Sequence, residues 1–167
     1  MKIEAIEISK SKKEALKYIL NKMPLMSKVS QFNTVVSDIH LQYIELKVLS
    51  YEVVSKEKTN KVFRHEIKTH YITMMVNTYN GYCESIDTMP TTTRKYVTKS
   101  CIKKCKIGEE NMIEGVKNEI MNFLGEKSRG NSIDKVNLQN IKIKEVKSIY
   151  KPYWVAEFRG RSVLLDA

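Results

Sequence analysis

The chain has 167 residues, a length that suits one ordinary domain or two small subdomains. Hydrophobic residues make up 42% and charged residues 29%, and Gly and Pro are few, which is typical of a globular protein and argues against long disordered linkers. The net charge of +10 favours anionic partners such as nucleic acid, acidic proteins or anionic lipid. Scattered Lys residues on a solvated surface are the simpler explanation of that charge.

The N-terminal part of the chain is predicted to contain a helix. Residues 2–8 alternate loosely between apolar and charged side chains, which indicates a short edge strand or a frayed lead-in. Ser11 and Glu14 then form a capping box, and apolar residues follow at helical spacing until Pro24. The pattern predicts a helix over residues 12–23.

The next segments predict an antiparallel sheet. Residues 35–54 are rich in β-branched and aromatic side chains, and their alternation changes phase between Tyr43 and Leu49, which indicates a bulge or a bend. Residues 62–76 form a second long strand in which Ile67, Tyr71 and Met75 share one face. The remaining elements are a polar hairpin loop at 55–61, a two-residue turn at Asn80-Gly81 and a short strand at 82–86.

The second half repeats this order of elements. A basic segment, with six basic and no acidic residues over 91–106, precedes a helix that opens near Gly108 and is expected to end at Gly125. Strands follow, first over 136–146 and then as a C-terminal hairpin with its turn at Arg159-Gly160. The apolar stripe of the helix is predicted to comprise Met112, Ile113, Val116, Ile120 and Phe123.

A weak internal repeat links the two halves. Val36, Ile39 and Tyr43 recur 110 residues later as Val146, Ile149 and Tyr153. We therefore predict an α+β fold of two degenerate helix-plus-antiparallel-β-sheet repeats packed together, with a first half at 1–90, a basic connection at 91–108 and a second half at 109–167. The alternative is that any two amphipathic strands align this well.

The C-terminal strands resemble a known family. Tyr153-Trp154-Val155, a glycine turn at Gly160 and the strand that ends in Leu165-Asp166-Ala167 are similar to the end of a PepSY-type domain. The resemblance covers mainly residues 146–167, and more faintly 36–81. It implies a cystatin-like helix-plus-antiparallel-sheet fold and a binding or inhibitory role without catalysis, and it carries over no functional residues.

Several chemistries are disfavoured by spacing. His65 and His70 are five residues apart in a strand pattern, whereas a zinc-binding helix needs two His four apart on one face. Cys101 and Cys105 have no second Cys pair that would complete a four-ligand zinc site. Together with Cys83 they make three Cys, and an odd number argues against a disulfide framework. Phosphate-binding glycine loops and nucleophile elbows do not occur. We therefore expect no metal, no cofactor and no catalytic residues.

Two groups of residues remain as candidate contacts. The basic segment interleaves charge with an aromatic ring and is a candidate nucleic-acid surface, the alternative being a solvated link. The adjacent Tyr153 and Trp154 point to opposite faces of their strand, so an exposed one would be a protein-contact residue, the alternative being that both are buried. The candidate nucleic-acid contacts are Arg94, Lys95, Tyr96, Lys99, Lys103 and Lys104.

The sequence thus predicts a non-catalytic binding or interaction protein of bacterial type. Its partner would be another protein or a second copy of the chain, since a strand as long as 62–76 leaves an edge to be paired. The alternatives are a nucleic-acid-binding protein that uses residues 94–106 and an enzyme with an unrecognised site. A low Cys count, two Glu in the first ten residues and no apolar run of membrane-spanning length favour a cytoplasmic location without membrane contact.

Overall fold

The chain has an α+β fold with a large mixed sheet. The computed structural model describes residues 1–22, 39–58, 65–128, 137–158 and 161–167. The helices of this described part are α1 (Lys12–Lys22) and α2 (Glu109–Ser128), and a 3-10 turn covers Lys99–Cys101. The strands are β1 (Lys2–Ile6), β2 (His40–Lys58), β3 (His65–Asn77), β4 (Cys83–Ser85), β5 (Thr92–Tyr96), β6 (Ile102–Lys103), β7 (Asn137–Phe158) and β8 (Arg161–Asp166).

The described residues divide into two compact units. Unit 1 comprises residues 1–45, 91–104 and 149–167, and unit 2 comprises residues 46–90 and 105–148. Each of the two predicted halves contributes residues to both units, because β2 and β7 each contain a unit boundary. Residues 91–108, predicted as a basic connection, contain β5, the 3-10 turn and β6.

Unit 1 is built around β1, in the segment that the alternation predicted to be a short edge strand or a frayed lead-in. β1 instead lies between two strands: it pairs antiparallel with β5 along its whole length and parallel with β7 through Ala5 and Tyr150. Ile3 and Ala5 are buried as a result. The two C-terminal strands pair as predicted, with β8 antiparallel to β7 from Tyr153 opposite Asp166 onwards, and the predicted turn at Arg159-Gly160 lies outside the described residues.

The predicted helix at 12–23 is confirmed as α1, and its capping box is formed. The backbone N–H and the side-chain hydroxyl of Ser11 donate to Glu14 Oε2 at 2.7 and 2.8 Å, and the Glu14 N–H donates back to the hydroxyl at 3.3 Å. These hydrogen bonds to the charged carboxylate lower the pKa of Glu14. Ala15 and Ile19 on the inner face of α1 pack with Ala156 of β7.

Unit 2 is a helix packed on an antiparallel sheet. β3 pairs with β2 without interruption from Leu46 to Lys58, so the phase change predicted as a bulge does not come from this ladder. Both faces of β2 are buried instead: Leu46 and Val48 lie on one face, and Tyr51 and Val53 on the other.

Helix α2 covers one face of this sheet. Val116, Ile120 and Leu124 of α2 pack with a row of sheet side chains that includes Ile72, Met74 and Val76. The face of β3 that carries Ile67 and Tyr71 is therefore the exposed one, since its neighbours on the opposite face meet the helix. The helix differs from the prediction in two ways. Ile113, predicted to belong to the apolar stripe, is 60% exposed, and α2 continues through Gly125, its predicted end, to Ser128.

The predicted Asn80-Gly81 turn is longer than two residues. The Asn77 N–H donates to the Tyr82 carbonyl at 2.8 Å, and the Gly81 N–H donates to the Asn77 carbonyl at 2.8 Å, which leaves four residues in the loop. Gly81 has a φ of +76°, and a Cβ placed on it would lie 2.7 Å from Ile107 Cδ1. The glycine is therefore required both by its backbone angle and by the close approach of Ile107.

Opposite effects are expected for alanine at two glycines of unit 2. Gly81→Ala should lower the free energy of unfolding by about 1–3 kcal/mol because of the left-handed backbone and the Ile107 contact. Gly115→Ala should raise it by about 0.5–1 kcal/mol, because this glycine lies inside α2 and no described atom is within 4 Å of an added Cβ. Urea titration of both variants measures this, and a neutral Gly81→Ala would contradict the assigned turn.

Candidate functional site

An apolar cavity lies in unit 2 beside α2. Its volume is about 150 Å³, a size at which apolar cavities hold a ligand such as benzene. Four elements supply its lining: β2, β3, α2 and β7. The described lining residues are Lys47, Leu49, Tyr51, Val76, Met112, Ile113, Ile143 and Val146.

The regular spacing of β2 places three of these side chains together. Lys47, Leu49 and Tyr51 are two residues apart and therefore share a face of the strand. Val76 of β3 lies directly opposite Lys47 in the ladder. Val76 and Tyr51 are buried, so they form the closed side of the cavity, and burial raises the pKa of the Tyr51 phenol.

The open side of the cavity is a rim of exposed aliphatic side chains. Ile113 of α2 is 60% exposed, and Ile143 and Val146 of β7 are 54% and 57% exposed. These three large aliphatic side chains lie around one opening. Exposed apolar side chains that are grouped in this way mark binding surfaces more often than single scattered ones do. The described lining contains no carboxylate, imidazole or thiol, so the groups present favour binding over acid–base chemistry.

Sequence reasoning missed this site. Ile113 was predicted to lie in the core stripe of α2, and Ile143 and Val146 were predicted only as strand residues. A partial signal was present, since Met112 and Ile113 are adjacent on a helix and cannot both face the same core position. Which of the two would be exposed depends on the position of the sheet under α2.

The candidate nucleic-acid residues do not share one edge of the sheet, because β5 pairs with β1 whereas β6 pairs with β2, and β7 lies between β1 and β2 in the strand order. Strand β5 ends the strand order of the described sheet, and its Arg94 and Tyr96 share a face on which Tyr96 is 82% exposed. Lys95 is half-buried on the other face, Lys103 is half-buried in β6, and Lys99 and Lys104 are exposed. The ladder also places Glu4 of β1 opposite Arg94, so this surface is not uniformly positive.

The basic segment is anchored in unit 1 rather than fully solvated. Val97, Cys101 and Ile102 pack against the buried cluster of Ile3, Ala5 and Tyr43. The N-terminal ammonium donates to the Val97 carbonyl at 2.7 Å, which adds one more positive charge at the end of β5. The exposed side chains of Arg94, Tyr96 and Lys99 thus flank residues that are packed into unit 1.

The candidate protein-contact residues are both half-buried in β7. The indole N–H of Trp154 donates to the Lys10 carbonyl at 2.8 Å, and its ring packs with Ala15, Ile19 and Ala156. Tyr153 lies under Lys151, whose Nζ is 5.3 Å from the centroid of the ring and 3.1 Å from Asp166 Oδ1. Burial raises the pKa of Tyr153.

The three cysteines are free thiols in different surroundings. Cys83 of β4 is half-buried against the core of unit 2, and this burial, together with the carboxylates of Glu119 and Glu84, raises its pKa to about 11. The exposed Cys105 places its thiol 3.0 Å from the Thr78 carbonyl and 3.1 Å from the Ile107 carbonyl.

Selective alkylation is expected from this difference. At pH 8, burial should make Cys83 about 100-fold less reactive than a thiol with the ordinary pKa of 9.0, because the thiolate is the nucleophile. Its rate should keep rising with pH up to about 11. Iodoacetamide labelling read by peptide mass spectrometry tests this, with the urea-unfolded chain as control, and equal labelling of Cys83 and Cys105 in the folded chain would contradict it.

Within the described ranges, no three His, Cys, Asp or Glu side chains lie close enough together to hold a metal ion. Neither α1 nor α2 combines the length and hydrophobicity needed to cross a membrane. No protein-family model matches this chain, and comparison with curated proteins and with solved structures finds no similar protein.

Proposed function

We propose that this is a non-catalytic binding protein and that the cavity of unit 2 is its binding site. The observation that carries the proposal is the rim of exposed Ile113, Ile143 and Val146 around an apolar cavity of about 150 Å³. The occupant is the apolar part of a small molecule, with roughly six to eight carbon atoms, because a space of this size accepts a group about as large as benzene.

The resemblance to PepSY-type domains belongs to the same proposal, since that family implies binding without catalysis. The packing of α1 against the C-terminal hairpin supports it, because Ala15 and Ile19 meet Ala156 and Leu165 there. Whether the chain contains a true repeat, and whether it forms a homodimer, stay predictions. β4 pairs with β3 only over Met74–Val76. The edge of β3 that faces away from β2 therefore has no described strand beside it before Ile72.

Binding of a neutral probe tests the proposed site. The whole chain should bind 1-hexanol saturably, as measured by calorimetry or by ligand-observed NMR. Ile143→Glu should weaken this binding at least about tenfold, because it places a charge at the rim that an apolar ligand would have to desolvate. Ile67→Glu is the matched control, since Ile67 is a 65% exposed isoleucine of unit 2 that is not among the lining residues.

The result that would end the proposal is equally specific. If the unchanged protein shows no saturable binding, or if Ile67→Glu and Ile143→Glu weaken it equally, the cavity is not the site. Because both positions are exposed, neither substitution removes a buried side chain from the core, and loss of folding is not expected to confuse the comparison.

Nucleic-acid binding by unit 1 is the second candidate, and the exposed Tyr96 beside Arg94 favours it. An aromatic face next to cations can stack on a base while the charges contact phosphate. A gel shift on single-stranded DNA at low salt should then occur, should weaken with added salt, and should be lost when Lys99, Lys103 and Lys104 are changed to Glu. No shift by the unchanged protein at low salt would reject this candidate.

A further inference from the structure

Lys47 makes the cavity of unit 2 electrostatically asymmetric. It is the one charged side chain among the described residues that line this cavity. Its position in β2, on the face shared with Leu49 and opposite the buried Val76, fixes it at the cavity rather than on the other side of the sheet. Its methylene chain adds apolar lining, while its ammonium supplies a cation.

We propose that the ligand is a small amphiphilic carboxylic acid, with an apolar group of about six carbon atoms in the cavity and a carboxylate paired with Lys47. This inference rests on the proposed function and names the ligand class of the same site. An ammonium at an apolar, partly water-excluded opening attracts an anion more strongly than a fully solvated Lys does, because the pair is screened less.

The neighbouring charges favour Lys47 as the recognising group. Lys144 of β7 forms an ion pair with Glu52, at 2.7 Å between Nζ and Oε2, and Glu52 lies on the face of β2 opposite to Lys47. No described lining residue is acidic, so no carboxylate of the cavity competes for Lys47. The chain's net charge of +10 adds a long-range attraction for anions.

A matched pair of ligands isolates the carboxylate. Hexanoate and 1-hexanol have the same chain length and differ in charge, and their dissociation constants for the whole protein can be measured by NMR titration at low ionic strength. Hexanoate should bind about tenfold more tightly than 1-hexanol, as expected for one charge-assisted hydrogen bond that is partly exposed. Added salt should reduce this ratio.

Two variants assign the effect to one residue. Lys47→Met keeps an unbranched apolar side chain and removes the charge, so it should bring the ratio of the two dissociation constants close to one. Lys142→Met is the control, because Lys142 is an exposed lysine of β7 that adjoins Ile143 in sequence and is not among the described residues that line the cavity. It should leave the ratio as it is.

The outcomes separate this inference from the function on which it rests. Equal binding of the two ligands to the unchanged protein, or tighter binding of 1-hexanol, overturns the carboxylate proposal and leaves the binding site in place. A ratio that survives in Lys47→Met overturns the role of Lys47. Absence of binding by both ligands overturns the proposed function itself.

Discussion

Ile120→Ala should lower the free energy of unfolding by about 2–5 kcal/mol, among the largest effects expected from a single truncation in unit 2. Ile120 is fully buried at the centre of α2, between Val116 and Leu124 of the same face. Removing its side chain loses the transfer free energy of three carbon atoms and leaves a cavity that the rigid sheet below cannot fill.

Urea unfolding followed by far-ultraviolet circular dichroism measures this loss. The matched control is Ile113→Ala, the same substitution seven residues earlier on the same helix, where the side chain is 60% exposed. The control should change stability by no more than about 0.5 kcal/mol. The two residues lie on nearly the same face of the helix, so equal losses would mean that the first turn of α2 packs on the sheet as closely as the turn that carries Ile120.

Trp154→Ala should lower the free energy of unfolding by about 2–4 kcal/mol. The half-buried indole packs with Ala15 and Ile19 of α1, and its N–H is bound to the Lys10 carbonyl just before that helix. Trp154→Phe keeps most of the ring contact and removes the donor, so it should lose a smaller amount, about 1 kcal/mol.

Tyr96→Ala supplies the comparison for Trp154. Tyr96 is 82% exposed, so its truncation should leave stability within about 0.5 kcal/mol of the unchanged protein. Thermal unfolding followed by circular dichroism suits all three variants, since fluorescence of the single Trp is lost when Trp154 is replaced. A Trp154→Ala protein as stable as Tyr96→Ala would mean that the indole is a surface residue rather than an anchor of α1.

Local signals predicted the parts of this fold that depend on neighbouring residues. The Ser11 and Glu14 capping box closes within one helical turn, so its hydrogen bonds follow from the sequence alone. The same holds for the positive φ of Gly81, although the loop around it has four residues rather than two. α1 and the C-terminal hairpin were placed correctly for the same reason.

Features that depend on tertiary packing were predicted poorly. Both faces of β3 carry apolar side chains, Ile72, Met74 and Val76 on one and Ile67, Tyr71 and Met75 on the other, so the sequence does not say which face meets α2. Residues 136–158 were divided into two strands, whereas β7 runs unbroken from Asn137 to Phe158 and contains a buried Pro152. Pro is rare inside strands because it has no N–H to donate to a neighbouring strand. A strand tolerates Pro only where that hydrogen bond is not required, and this depends on the strand that lies beside it.

The candidate site was hidden for the same reason. Lys47, Val76, Ile113 and Ile143 come from four elements that are far apart in the chain, and the order of strands decides that they meet. Lys47 is one of many lysines in the sequence, and nothing local distinguishes it. Its significance comes from the apolar side chains that surround it in unit 2.

The most direct measurement of the central claim is a methyl NMR spectrum of the whole protein, with the Ile, Leu, Val and Met methyl groups labelled, during a titration with 1-hexanol. If the cavity of unit 2 is the binding site, the methyl signals of Met112, Ile113 and Ile143 should shift together with a single saturating curve, while those of Ile67 and Ile19 stay in place. Shifts that do not saturate, or that are as large at Ile67 as at Ile143, would contradict it.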